Sequence, residues 1–174
     1  KKHDGSEDAC FNCGGSSSLL HLTECRTIKS EFWDHVLNFL DDLGIPAPTE
    51  TSAFLLIGRL SDEKAATEDQ ATILILAWRC LYAELVHSKV ENTVASFDKA
   101  FLRLLYLLIS RLKAYGHKWE RWCEKNSGTS NPSSIPLRFR KSPLIEQEAD
   151  GQYSIRPIIM NLYNRLRARP NEED

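Results

Sequence analysis

Cys10-Phe11-Asn12-Cys13, followed by His21 and Cys25, restricts this chain more than any other stretch. Three cysteines and a histidine fall within sixteen positions, a donor set that suits one tetrahedral zinc in a Cys₃His shell. The two-residue gap between Cys10 and Cys13 lets both sulfurs reach one ion, and Gly14-Gly15 lets the chain turn directly after them. His21 and Cys25 are four apart, so one helical turn puts them on the same face. Leu19, Leu20 and Leu22 flank them and are expected to dock that turn on a core. Two other readings use the same cysteines: buried small apolar groups, or a Cys10/Cys13 redox pair. A redox pair follows a strand and opens a helix. The flanks here are polar and rich in Gly and Ser, so zinc is the favoured reading. A Cys₃His shell leaves no coordination position open. The metal is therefore expected to hold the fold together and to do no chemistry.

With 174 residues, 42% of them apolar and 26% charged, the chain suffices for one domain or one core with appendages. Of five cysteines, Cys80 and Cys123 fall outside the ligand set, in helical apolar patterns, and are expected to be buried free thiols. That usage fits an intracellular, reducing compartment. The richest apolar run, Phe101 to Leu112, is short and broken by Arg103 and Arg111, so no membrane span is expected. The first residue is Lys1, which reads as a processed product or an excerpt of something longer. The net charge of −2 is unevenly spread: residues 1–100 hold 9 Lys+Arg against 16 Asp+Glu, residues 101–174 hold 13 against 8. Only the second half suits phosphate.

The periodicity predicts a mostly α protein. A small zinc knuckle (residues 1–25) precedes a helical bundle (26–125). A loop, a short C-terminal β-hairpin and a last helix (126–174) follow. Ile28, Phe32, Trp33, Val36, Phe39, Leu40 and Leu43 recur at helical spacing from about Thr27 and stop at Gly44. His35, Asp41 and Asp42 belong to the outer face of that helix. Phe54 to Gly58 is too short to type and reads as strand-like or a single turn. Thr67-Glu68-Asp69-Gln70 is a capping box opening a helix to about Val90, apolar over most of its circumference and so expected at the centre of the bundle. A longer helix, about Val94 to Lys125, carries a stripe from Phe97 through Leu108 to Tyr115, Trp119 and Trp122, with Gly116 as a candidate bend. The stripe reads as core, with a stacking surface for single-stranded nucleic acid as the alternative. Asn126 to Pro136 is a loop, Leu137 to Arg140 alternates apolar and basic, and Asp150-Gly151 is a two-residue hairpin turn. Pro157 sits in the first turn of the last helix, whose stripe is Ile158, Ile159, Leu162 and Leu166.

Cys10-x₂-Cys13-x₇-His21-Leu22 resembles the zinc-binding motif that follows the reverse transcriptase in LINE-type (non-long-terminal-repeat) retrotransposon polyproteins. Trp33, twelve positions after His21, stands where that family has a tryptophan. Phe54 to Gly58 and the Ile73–Val86 stretch with Ala77-Trp78-Arg79 are also similar to its downstream region. The resemblance covers about residues 9–90. It departs in having three residues, not four, between His21 and Cys25. It implies a C-terminal zinc-binding domain that contacts template RNA or target DNA beside the polymerase. No paired-aspartate polymerase motif is present, and no acid–base or nucleophile constellation suggests an enzyme. His3, His87 and His117 are isolated.

Two functional classes follow. The first is a nucleic-acid-binding accessory domain, with Lys118, Arg121, Lys125, Arg138, Arg140, Lys141, Arg165, Arg167 and Arg169 holding phosphate of RNA or DNA without sequence preference. The second is a domesticated structural or interaction subunit, gripping neighbouring protein subunits in a larger, organellar or ribonucleoprotein, assembly. Neither implies a small-molecule substrate.

Overall fold

A computed structural model of the chain describes residues 10, 13–15, 18–45, 55, 67–125, 142–148 and 153–169, the side chains of 117–125 excepted. The chain divides into two compact units, residues 1–103 and 104–174. The protein is mostly α, with one small antiparallel hairpin and a last helix after it, as the periodicity predicts. Among the described residues no helix is long and apolar enough to cross a membrane.

In the first unit, α1 (Leu19–Glu24) leads through Cys25 into α2 (Arg26–Ile28), a π-helical turn (Lys29–Trp33) and α3 (Asp34–Asp42). The wide turn brings the consecutive Phe32 and Trp33 both into full burial, beside Ile28 and Val36. The stop at Gly44 forms as expected. Gly44 takes φ +72°, its N–H donates to Asp41 O, and Ile45 N–H donates to Leu40 O. This is the Schellman arrangement, with Ile45 buried beneath it. Phe39 packs edge-on to Phe101, their centroids 6.2 Å apart.

Helix α4 (Glu68–Glu91) opens on the anticipated capping box: Gln70 N–H donates to Thr67 Oγ1, and Thr67 N–H donates to Gln70 Oε1. Its buried face includes Ile73, Leu74, Ala77, Cys80 and Leu81. The expected central position is not what forms. Ile75, Arg79, Tyr82, Val86 and Val90 remain exposed along the opposite side. Apolar residues thus stand on both the buried and the exposed sides of this helix. Asn92 ends it in the left-handed region at φ +54°. The Glu84 carboxylate accepts from Ser96 N–H and fixes the turn into α5 (Phe97–Lys125). That helix starts three residues later than the periodicity suggests and runs on through Gly116. Phe97, Phe101, Leu104, Leu105 and Leu108 of its stripe are buried. Leu112 and Tyr115 are half-buried.

Of Phe54 to Gly58 only Leu55 lies within the described residues. It is helical and buried, and its carbonyl accepts from Trp78 Nε1 at 2.6 Å. In the second unit, β1 (Ile145–Gln147) pairs antiparallel with β2 (Tyr153–Ile155), Ile145 opposite Ile155 and Gln147 opposite Tyr153. That register is centred on Asp150, whereas a two-residue Asp150-Gly151 turn needs a centre between residues 150 and 151. The turn itself lies outside the described residues, as do the loop at 126–136 and the alternating stretch at 137–140. Pro157 does open the last helix, α6 (Pro157–Arg167), and Ile159 is its fully buried residue.

Candidate metal centre

The knuckle is built by backbone chemistry first. Gly14 N–H and Cys13 N–H both turn back to Cys10 O, at 2.7 and 3.3 Å, and Cys10 N–H donates to Gly15 O. Gly14 holds φ +73°, a conformation that a Cβ makes costly. Gly15 is required for a different reason. A Cβ there would lie 3.0 Å from His21 Cε1 and 3.4 Å from both Cys13 Sγ and His21 Nε2. Ser18 then caps α1, its Oγ accepting from His21 N–H at 3.1 Å. His21 and Cys25 follow on one face, with Cys25 N–H bonded to His21 O.

Cys10, Cys13, His21 and Cys25 come together as the spacing predicts. One ligand atom from each lies within 4.8 Å of all the others. Cys10 Sγ is 3.9 Å from Cys25 Sγ, and Cys13 Sγ is 3.1 Å from His21 Nε2. A tetrahedral ion with sulfur at about 2.3 Å and nitrogen at about 2.0 Å has S···S edges near 3.8 Å and S···N edges near 3.5 Å. The donor set therefore fits a four-coordinate metal ion. Cys10 and Cys25 are buried, His21 is half-buried and Cys13 is exposed. Cys10, Cys13, Cys25 and Cys80 are free thiols.

The electrostatics differ across the cluster. The Gly15 backbone N–H, reinforced by the Cys25 and Cys10 side chains, holds the Cys13 thiol below its usual range against some opposing desolvation. Burial pushes Cys25 up, the Ile28 backbone N–H and neighbouring thiols acting after it in size. Cys80, away from the cluster, is also pushed up by burial, with Arg103 and Arg79 pulling the other way.

The cluster is tied to the helical core by one side chain. Trp33 is fully buried and its Nε1–H donates to Leu22 O at 2.9 Å, satisfying a carbonyl in the last turn of α1. The same indole meets Trp78 edge-on at 4.9 Å and Phe32 at 5.0 Å. The position of Trp33 is visible in the sequence, but this hydrogen bond is not. The requirement for a bare Cα at Gly15 is equally hidden, because it arises only when His21 folds back over the turn. Ser18 before Leu19-Leu20 is a readable cap signal.

The basic residues proposed for phosphate are placed only in part. Arg165, Arg167 and Arg169 are exposed at the C-terminal end of α6, where cations oppose the helix dipole. Lys118, Arg121 and Lys125 lie on the last turns of α5. Arg138, Arg140 and Lys141 lie outside the described residues. His35 and His87 are exposed, as are Asp41 and Asp42. Arg111 sits over the Tyr115 ring at 5.7 Å. Comparison with protein-family models, curated proteins and solved structures finds no significant match.

Gly15→Ala provides a direct check on the site. The added methyl must displace the imidazole by a few tenths of an ångström. Metal affinity is expected to fall about tenfold, the lower end of what disturbing a ligand's orientation costs. Competition against a chromogenic chelator measures it. An unchanged affinity would show that His21 is not held where the geometry puts it.

Proposed function

We propose that the cluster holds a structural zinc ion in a non-catalytic accessory domain, and that this domain binds RNA or DNA through phosphate contacts from its basic second half. The observation that carries the reading is the convergence of three thiols and one imidazole from the knuckle and α1 on a single point. Four protein donors complete a tetrahedral shell, so no position is left for a substrate or an activated water. The exposed Arg165, Arg167 and Arg169 support the phosphate half of the proposal, as does the resemblance to the zinc-binding region of non-long-terminal-repeat retrotransposons.

Metal analysis of the pure protein is expected to give one zinc per chain. Binding to mixed-sequence single-stranded RNA and DNA is expected to weaken steeply with salt. Replacing Arg165, Arg167 and Arg169 together with Ala should flatten the log–log slope by about 2, since each lost phosphate contact removes roughly 0.7. Absence of binding at low salt sinks the nucleic-acid half and leaves the metal half standing. The second reading, an interaction subunit of a larger assembly, draws on one observation. Leu19 and Leu20 beside the cluster, and the outer face of α4, are exposed apolar surface of a kind suited to protein contact.

A further inference from the structure

The donors of the cluster do not meet solvent equally. Cys10 and Cys25 are 5% and 2% exposed, whereas Cys13 lies open at the rim with the half-buried His21 beside it. The three sulfurs still lie within 4.8 Å of one another. A thiolate, not a thiol, is what an oxidant attacks, and a coordinating thiol is deprotonated outright. Access to solvent therefore decides which of the three sulfurs a dissolved oxidant reaches. We propose that Cys13 is the point at which hydrogen peroxide attacks this protein, with Cys10 as the resolving partner. Closure of a Cys10–Cys13 disulfide then releases the metal. This is a redox control of the zinc site proposed above, and it rests on that reading.

The chemistry takes two steps. The Cys13 sulfur attacks one oxygen of the peroxide, the O–O bond breaks, hydroxide leaves and a sulfenic acid remains on Cys13. The Cys10 thiolate then attacks the Cys13 sulfur, the S–O bond breaks and a second hydroxide leaves. Two thiolates give up two electrons, one peroxide takes them, and two protons from solvent turn both hydroxides into water. The backbone selects Cys10 over Cys25. Cys13 N–H turns back to Cys10 O at 3.3 Å, and Gly14 N–H reaches the same carbonyl at 2.7 Å. Such a turn holds its first and fourth Cα atoms within about 7 Å, a separation that a disulfide can bridge. Cys25 is fixed on both sides: its N–H donates to His21 O, and its own carbonyl accepts from Lys29 N–H. Reaching Cys13 from there would move the joint between α1 and α2. The Cys10 and Cys25 sulfurs are 3.9 Å apart, but both are shut off from solvent. The disulfide removes both donors of the knuckle. His21 and Cys25 alone cannot complete a tetrahedral shell, so the knuckle and α1 come uncoupled. A dithiol regenerates both thiolates, which makes the loss reversible.

The test uses the full chain loaded with zinc, and metal analysis comes first. A chain that purifies without zinc overturns both this proposal and the structural-zinc reading. From the loaded chain, excess hydrogen peroxide is expected to release one zinc per chain, read with a chromogenic chelator, and to consume two thiols for each zinc. Alkylation of the denatured product and tandem mass spectrometry should find Cys10 joined to Cys13, with Cys25 and Cys80 still able to react. Dithiothreitol with added zinc should refill the site. Cys13→His keeps four donors but removes the exposed thiol, and should slow release about tenfold or more, since attack must then wait for a buried sulfur. Four results overturn the proposal and leave the zinc reading standing. A loaded chain keeps its metal in peroxide. The disulfide that forms includes Cys25. Cys13→His loses metal as fast as the wild type. Dithiothreitol and zinc fail to refill the oxidised site.

Discussion

Stripping the metal with a strong chelator is expected to collapse the region from Cys10 to the start of α3. Structural zinc in small modules contributes an apparent 10–16 kcal/mol or so at neutral pH, and that energy is folding energy. Among the described residues the knuckle's loop is closed by three backbone hydrogen bonds, and α1 is only six residues long, too short to persist alone. Cys25→Ser should reproduce much of the effect, because Cys25 is buried and is also the joint between α1 and α2. The expected signature is loss of amide protection in α1 and of the near-ultraviolet signal of Trp33, while α4 keeps its helicity. Acid should act in the same direction. The ligands bind metal only when deprotonated, so the site is complete at neutral pH and empties as pH falls. Full retention of near-ultraviolet structure after verified removal of the metal would contradict the structural role.

Trp33→Ala is expected to be the most damaging single substitution in the core of the first unit. Removing a buried tryptophan costs about 3–5 kcal/mol in cavity and lost transfer energy. Leaving the Leu22 carbonyl without its donor adds about 1–3 kcal/mol. The sum is comparable to the whole stability of a typical domain, so the variant is expected to be largely unfolded or to depend on bound metal. Trp33→Phe separates the two contributions. It keeps most of the volume but loses the bond to Leu22 O, so it should cost roughly the hydrogen-bond share, about 1–3 kcal/mol. Urea titration of the metal-loaded protein measures both, and zinc competition measures whether the anchor feeds back on the cluster. If Trp33→Ala shifts stability by less than about 1 kcal/mol, near the centre of the distribution for point mutants, the indole does not anchor α1 to the core.

The donor set, the Gly44 stop, the Thr67 capping box and the Pro157 start were all legible, because each is local chemistry that a few neighbouring residues decide. Three features were not. The start of α5 moves to Phe97 because Glu84, twelve residues before Ser96, takes the Ser96 N–H. The hairpin register depends on which cross-strand pair forms, and turn residues alone leave it ambiguous by one position. The outer face of α4 misled the periodicity, since apolar residues all round a helix signal burial without saying by what. The basic residues were readable as charge but not as a surface, because their juxtaposition is a property of tertiary structure.

The π turn at Lys29–Trp33 sets a limit on how this chain can vary. It holds one residue more than an α-helical path of the same rise, so a single deletion there would regularise the helix without breaking it. Everything on its amino-terminal side would then rotate by about 100° around the axis. The four ligands would still find one another, since they all precede the turn, but Leu22 would no longer face the indole. Lineages of this chain should therefore tolerate insertions beside the exposed residues Glu146 to Glu148 far more readily than the loss of one codon between Lys29 and Trp33.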